Sequence, residues 1–336
     1  MVSTIGKKPE LSVSVVVPCY RSAATLPELV DRLLGVLPAA TAAYEVILVV
    51  DGSPDGTWQV AEELARRHPP VRAVRLARNY GQHNALVAGI RAARHEAVVT
   101  MDDDLQHPPE EVPALLAALT DDIDLVYGVP RREEHGLLRS AASRLVKASL
   151  ASAMGVRDAR LVGAFRAFRT FLRAGLAGVH GPHVTVDVAL SWGTTRVTGA
   201  AVRMDERRHG RSGYTFGTLV RHALNMTLGY SVAPLRLVTC LGFLVGAAGL
   251  ALFVRVLLLY FRGDTTIAGF TTVASMVALF SSAQLVAIGV LGEYVGRIHA
   301  QGIGRPTYVV REAVGPPDPA GDLPAARRPV GAGTTG

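Results

Sequence analysis

The chain has 336 residues, 35 Lys+Arg and 28 Asp+Glu, for a formal net charge of +7. Hydrophobic residues make up 49% and charged residues 19%, below the roughly 25% charge of soluble proteins, so disorder is excluded for most of the chain and the apolar excess needs a destination. Two cysteines, Cys19 and Cys240, exclude a disulfide scaffold and a Cys-rich zinc site, and both are expected reduced and buried. The pI near 9.7 raises nucleic acid as a partner. Aromatics are only 6%, and no arginine-rich helix with interleaved aromatics occurs, so nucleic acid is not expected. Residues 1–12 carry Lys7 and Lys8 without an apolar stretch of signal length, which places the N-terminus in the cytoplasm.

In chain order, the β-branched run Leu11–Pro18 predicts a strand, and Ala24–Leu37 predicts a helix with Leu26, Leu29, Val30, Leu33 and Leu34 on one face. Strands follow over Glu45–Val50, Val71–Leu76 and Ala97–Met101, with helices over Thr57–Arg67 and Gln82–Ala93 between them. Continuous apolar strands alternating with helices imply an α/β domain around a parallel sheet covered on both faces. The composition shifts after Val232. Leu237–Val254 is 18 residues without a charge, and Thr265–Gly292 is 28. At 1.5 Å per residue, each can cross a hydrocarbon core about 30 Å thick. Arg203, Arg207, Arg208, Arg211, Arg221 and Arg236 precede the first stretch, and Arg297, Arg305 and Arg311 follow the second. That bias predicts a membrane hairpin with both flanks cytoplasmic. Tyr214–Tyr230 reads as an amphipathic interfacial helix. The Pro-, Gly- and Ala-rich tail from about 315 reads as disordered.

The strongest chemical signal is Asp102-Asp103-Asp104-Leu105-Gln106 at the end of the fourth strand. Strand alternation sends Asp102 and Asp104 to one side, a pair of hard oxygen donors for Mg2+ or Mn2+ on a phosphorylated substrate, and Gln106 continues the alternation. The alternative is a solvated acidic turn ahead of Pro108 and Pro109. The other strand ends carry Pro18-Cys19-Tyr20-Arg21, Asp51-Gly52-Ser53-Pro54-Asp55-Gly56-Thr57 and Arg78-Asn79-Tyr80-Gly81. In open α/β sheets ligands bind at such ends. Asp51 can accept from a base N–H or a ribose hydroxyl. Ser53 and Asp55 either serve the crevice or cap the helix at Thr57. The Arg78–Gly81 segment either lines the crevice or only supports it. Asp187 is either a sugar-binding or base residue or a structural one. Neither G-x-G-x-x-G after the first strand nor G-x-x-x-x-G-K-[ST] occurs, which excludes a Rossmann dehydrogenase and a P-loop NTPase.

Together P-x-Y at Pro18–Tyr20, V-D-G-S-P-D-G-T from Val50, R-N-Y-G from Arg78 and D-D-D-L-Q-H-P-P-E from Asp102 resemble family 2 glycosyltransferases of the GT-A fold. With the apolar hairpin and Leu291-Gly292-Glu293-Tyr294-Val295-Gly296-Arg297, the chain is similar, more narrowly, to polyprenyl-phosphate glycosyltransferases and dolichol-phosphate mannose synthases, from Val13 to about Arg311. The resemblance implies that Pro18, Tyr20, Asp51 and Asp102 hold the nucleotide. It implies that Asp102, Asp104 and Gln106 hold the metal and diphosphate. It further implies that Arg131, Arg139 and Arg207 grip the lipid phosphate or the departing diphosphate, with Asp104 and these arginines forming the catalytic set. Arginine suits that role because its fork of donors stays charged; binding of anionic headgroups is the alternative for Arg207, Arg208 and Arg211. Val50 stands where the family often has an acid, and Gly213 where dolichol-type relatives have lysine. No Q-x-x-R-W occurs, so a processive synthase is not expected.

The domain plan is therefore a cytoplasmic GT-A domain over 1–212, an interfacial helix over 213–233, a transmembrane hairpin over 234–298 (helices at about 235–261 and 266–294) and a tail over 299–336. The implied activity is metal-dependent, inverting transfer of one sugar, from a UDP-glucose-like or GDP-mannose-like donor, to polyprenyl phosphate at the cytoplasmic membrane face. The resemblance also allows a homo-oligomer. Two other readings compete: transfer to a hydroxyl acceptor, which would need a general base, and a non-catalytic membrane partner of a lipid flippase.

Overall fold

The computed structural model describes residues 11–131, 161–177, 185–205, 233–262, 269–303 and 306–316. The chain divides into two compact units, Met1–Thr215 with Arg305–Gly336, and Phe216–Gly304.

The first unit contains strands β1 (Ser12–Cys19), β2 (Ala43–Val50), β3 (Val71–Leu76), β4 (Ala97–Thr100), β5 (Leu125–Pro130), β6 (Arg166–Arg169), β7 (Val197–Val202) and β8 (Val310–Val314). They form one sheet in the order β7-β5-β6-β4-β1-β2-β3-β8. Its helices are α1 (Leu26–Ala40), α2 (Thr57–Arg67), α3 (Gln82–Ala92), α4 (Val112–Ala118) and α5 (Val186–Gly193). The central strands read as unbroken apolar runs because both faces are covered. Val13, Val15 and Val17 join one core with Leu29 and Leu33 of α1 and Leu64 of α2. Val16 turns to the opposite core with Leu86 and Ile90 of α3. This is the two-residue alternation of a strand applied to two apolar layers.

The expected elements up to Met101 are all present within two residues of their predicted bounds, except that the first helix runs three residues further, to Ala40. The sheet is not parallel throughout, which corrects that expectation. β4, β1, β2 and β3 run parallel, but β6 enters antiparallel between β4 and β5, and β8 pairs antiparallel with β3. β6 escaped the pattern because it is four residues long and begins with a fully buried arginine, Arg166. β8 lies in the segment expected to be a tail. There Glu312 pairs with Arg75 at 2.6 Å, and the Arg94 guanidinium donates to the carbonyl of Pro316.

The second unit contains helices α6 (Ala233–Phe261) and α7 (Phe270–Gly302). Phe280 of α7 packs on Gly249 of α6, where a Cβ would come within 3.0 Å of the ring. Among the described residues, Leu279–Gly296 of α7 is long and apolar enough to cross a membrane, with mean hydropathy 1.3 and no residue buried; the apolar stretch of α6 is the shorter Val238–Ala251. Cys19 is free and buried as expected, but Cys240 is free and exposed on α6. The expected interfacial helix over 213–233 lies outside the described residues, apart from Ala233.

At the N-terminal ends of the strands, Arg72 pairs with Glu45 at 3.0 Å, with side chains 4% and 6% exposed. Glu45 also accepts from the Ser14 hydroxyl and the Arg94 amide, and Arg72 reaches the Ala92 carbonyl. The pair thus fastens β1, β2, β3 and the end of α3. Glu45→Ala leaves Arg72 buried without its carboxylate and is expected to cost about 3–5 kcal/mol. Denaturant unfolding followed by tryptophan emission checks this, since Trp58 and Trp192, the only tryptophans, both lie in this unit.

Candidate active site

Because β1 to β4 run parallel, their following loops meet on one edge of the sheet, the usual position of a ligand crevice. The loops after β2 and β3 touch through the backbone. Gly52 has φ +58, and a Cβ there would lie 2.2 Å from the carbonyl carbon of Arg78. Beside it, Asp51 is 3% exposed and accepts from the amides of Tyr80 and Gly81, at 2.7 Å each. Burial raises its pKa, against the pull of these two amides. Asp51 therefore fixes the Arg78–Gly81 loop, whatever contact its remaining lone pairs make. Pro18 is buried within β1 opposite Val49, whereas Tyr20 is 43% exposed on the crevice edge.

The acidic segment after β4 splits by direction. Asp102 accepts from the Gln82 side-chain amide at 2.7 Å, and Asp104 accepts from the backbone amide of Gln106 at 3.1 Å. Asp103 turns instead to β1 and accepts from the Tyr20 amide at 3.0 Å. Burial pushes the Asp103 carboxyl up to about 6; the Ser22 hydroxyl and the Tyr20 amide oppose that shift, and the charges of Asp102 and Asp104 add to it. Leu105 adopts φ +62, which a branched side chain rarely accepts, while its side chain is 3% exposed in the core with Val112 and Leu115. Core burial thus holds a strained backbone turn between Asp104 and Gln106.

His107 stacks on Phe165 with ring centroids 5.2 Å apart. Burial lowers its pKa to about 4, so the ring is neutral and its Nδ1 accepts from the Asp102 amide at 3.3 Å. Beneath it, the Arg166 Nε donates to Thr100 at the end of β4 (2.8 Å), and the guanidinium pairs with Asp187 of α5. The Tyr127 hydroxyl donates to the same Asp187 oxygen. Asp187 is 6% exposed and engaged by these two partners.

Arg131 follows β5 at the same edge of the sheet. Its amide bonds to the Val202 carbonyl, and its guanidinium, 62% exposed, lies 3.5 Å from Glu111. Arg139 and Arg207 lie outside the described residues. The predicted site thus gathers Tyr20, Asp51, Asp102, Asp104, Gln106 and Arg131 on one edge. Among the described residues, no three His, Cys, Asp or Glu side chains group as metal ligands. Two carboxylates and an amide oxygen, completed by substrate phosphate and water, fit the oxygen preference of Mg2+ or Mn2+. Sequence reasoning missed Gln82, Asp103 and His107. Alternation alone pointed to Asp103 as the acid facing away from its neighbours.

The mixed α/β sheet, with strand-end loops that carry an acidic pair and an exposed arginine, is a GT-A-like fold. Residues 14–173 match the model of Glycosyl transferase family 2. The chain belongs to that family. It is 34% identical over 306 residues to the undecaprenyl-phosphate 4-deoxy-4-formamido-L-arabinose transferase of Proteus mirabilis, covering 90% of this chain and 94% of that protein. Identity to the transferase of the same description from Photorhabdus laumondii is 32% over 308 residues, again covering 90% and 94%. Among solved structures, glucosyl-3-phosphoglycerate synthase from Mycobacterium tuberculosis aligns with TM-score 0.49 at 21% identity, over 66% of this chain and 80% of that one. A mannosyltransferase from Pyrobaculum calidifontis in complex with GDP-Man and Mn2+ aligns with TM-score 0.46 at 18% identity, over 88% and 86%.

Gly52→Ala forces the β2 and β3 loops apart, because both the φ and the 2.2 Å approach exclude a Cβ. The expected outcome is a loss of nucleotide affinity of at least about tenfold, from displacement of hydrogen-bonded loop anchors worth about 1–2 kcal/mol. Titration of the purified variant with UDP and GDP checks this.

Proposed function

We propose that the protein transfers one sugar from a nucleotide-diphosphate donor to a polyprenyl phosphate, with inversion, at the cytoplasmic face of the membrane. The observation that carries this reading is the set Asp102, Asp104 and Arg131 on the edge that also presents Tyr20. A divalent cation held by Asp102, Asp104 and Gln106 would supply charge neutralisation for the donor diphosphate. Asp102 is oriented by Gln82 and by the His107–Asp102 amide bond, and Asp104 by the Leu105 turn. Arg131, exposed and loosely paired with Glu111, would grip a phosphate with its fork of donors. Tyr20 and Asp51 would hold the nucleoside.

The acceptor follows from the chemistry of attack. A lipid phosphate oxygen is already anionic at neutral pH, so no protein base is needed, whereas a hydroxyl acceptor needs one. Asp187, the carboxylate that the sequence offered as a base, is engaged by Arg166 and Tyr127, which favours the phosphate acceptor. The names of the relatives point the same way. The donor sugar is either UDP-glucose-like or GDP-mannose-like, or the 4-deoxy-4-formamido-L-arabinose of those relatives' names.

A membrane hairpin brings such a lipid to the site. α6 and α7 have 29 and 33 residues, so each is longer than the roughly 30 Å hydrocarbon core at 1.5 Å per residue. The chain leaves the first unit after Thr215 and re-enters it at Arg305, where β8 joins β3. A chain that returns to the same folded unit crosses a membrane an even number of times. This supports two spans over 234–298, with both ends on one face and the arginine bias making that face cytoplasmic.

Purified protein incubated with undecaprenyl phosphate, Mg2+ or Mn2+ and labelled UDP-, GDP- and dTDP-sugars, the 4-deoxy-4-formamido-L-arabinose donor included, is expected to move label into the organic phase. Label that stays in water with every donor would overturn the reading. Asp104→Ala is expected to abolish transfer while the protein stays folded and membrane-bound; retained metal-stimulated activity would contradict the metal assignment. Arg131→Ala is expected to raise the KM for lipid phosphate by at least about tenfold, the value of one charge-assisted contact, while nucleotide affinity changes little.

A further inference from the structure

We infer that Asp103 and Asp55 are positioning residues for donor binding, which together set three consecutive backbone amides of the Tyr20–Ser22 turn. The Tyr20 amide donates to Asp103 at 3.0 Å, the Arg21 amide to the Ser53 hydroxyl at 2.9 Å, and the Ser22 amide to the Thr57 hydroxyl at 3.0 Å. Each anchor comes from outside the turn's own segment: Asp103 from the loop after β4, Ser53 from the loop after β2, and Thr57 from the first position of α2. The turn needs them, because Arg21 sits at φ +57, a left-handed conformation that a non-glycine residue keeps only when its surroundings impose it.

Asp55 acts through the two hydroxyls. One of its oxygens accepts from Ser53 Oγ and from Thr57 Oγ1, at 2.6 Å each. A hydroxyl has a single proton to give. With that proton committed to Asp55, both hydroxyls turn lone pairs to the amides of Arg21 and Ser22. A carboxylate that cannot donate thus fixes the polarity of both anchors. The hydrogen bonds to Asp55 outweigh its partial burial and hold its pKa below the usual range, so it is ionised near neutral pH. Asp103, between the two expected metal ligands, joins the segment at the donor's diphosphate to the turn at its nucleoside. The inference rests on the reading of Tyr20 as a nucleoside contact, and the test separates the two.

Full-length protein in detergent is titrated with UMP and GMP in EDTA, which removes any metal-dependent affinity, and the donor KM and kcat are measured with metal. Asp103→Ala and Asp55→Ala are expected to weaken monophosphate binding by about five- to tenfold, the value of about one lost hydrogen bond, and to raise the donor KM similarly with kcat within about twofold. Asp103→Asn, whose amide oxygen still accepts from Tyr20, is expected to restore most of the affinity. Ser53→Ala, which removes one anchor and leaves Thr57, gives a smaller loss in the same direction. Affinity in EDTA unchanged in both alanine variants, or a fall in kcat with KM unmoved, would overturn the inference. Tyr20→Ala is the control. If it too leaves binding unchanged, the nucleoside reading of Tyr20 fails; if it weakens binding while the aspartate variants do not, only the inference fails.

Discussion

Carboxylates that accept backbone amides from neighbouring loops are the interaction on which the active edge depends. Asp51 holds the loop after β3, and Asp103 holds the turn after β1. Charge-assisted bonds of this kind contribute about 1.5–3 kcal/mol each, more than neutral ones. They also fix direction, because an amide N–H and a carboxylate lone pair tolerate little misalignment. Parallel strands deliver the loops to one edge, but apolar packing beneath cannot set loop backbones at the surface. These acids complete that task before any ligand arrives.

Two buried ion pairs lie away from that edge's surface. Glu45 and Arg72 neutralise each other at the opposite ends of the strands. Arg166 and Asp187 do the same beneath β4, with Thr100 accepting from the Arg166 Nε and Tyr127 donating to Asp187. Burying a charge without a partner is costly, so the residues left exposed are informative. Arg131 stays 62% exposed, with its guanidinium 3.5 Å from Glu111 and 3.4 Å from the Ala201 carbonyl, the long contacts on which its proposed phosphate role rests.

Much of this was legible in the sequence. The strands from Ser12 to Thr100 were readable because fully buried β-branched runs differ sharply from amphipathic helices, and the strand ends followed from them. The acidic pair and Tyr20 fell where those ends led, and Arg131 came from the family resemblance. What escaped depends on long-range pairing. β6 carries an arginine whose partner, Asp187, lies 21 residues on. β8 pairs with a strand more than 230 residues earlier, and no local pattern announces it. In the sequence Asp103 appeared only as the middle acid between the two expected metal ligands. Its true partner, the Tyr20 amide, is 83 residues away, and only the assembled sheet brings the two together.

The return strand has a practical meaning for how this enzyme can be taken apart. A fragment ending before α6 would lose β8, strip Glu312 from Arg75 and leave the β3 backbone from Ala73 to Leu76 as an open edge. Such edges recruit other strands and drive aggregation. A soluble catalytic piece therefore has to keep the far end of the chain and bypass the apolar helices with a linker from the region of Thr215 to Arg305, so that the sheet is closed by its own last strand.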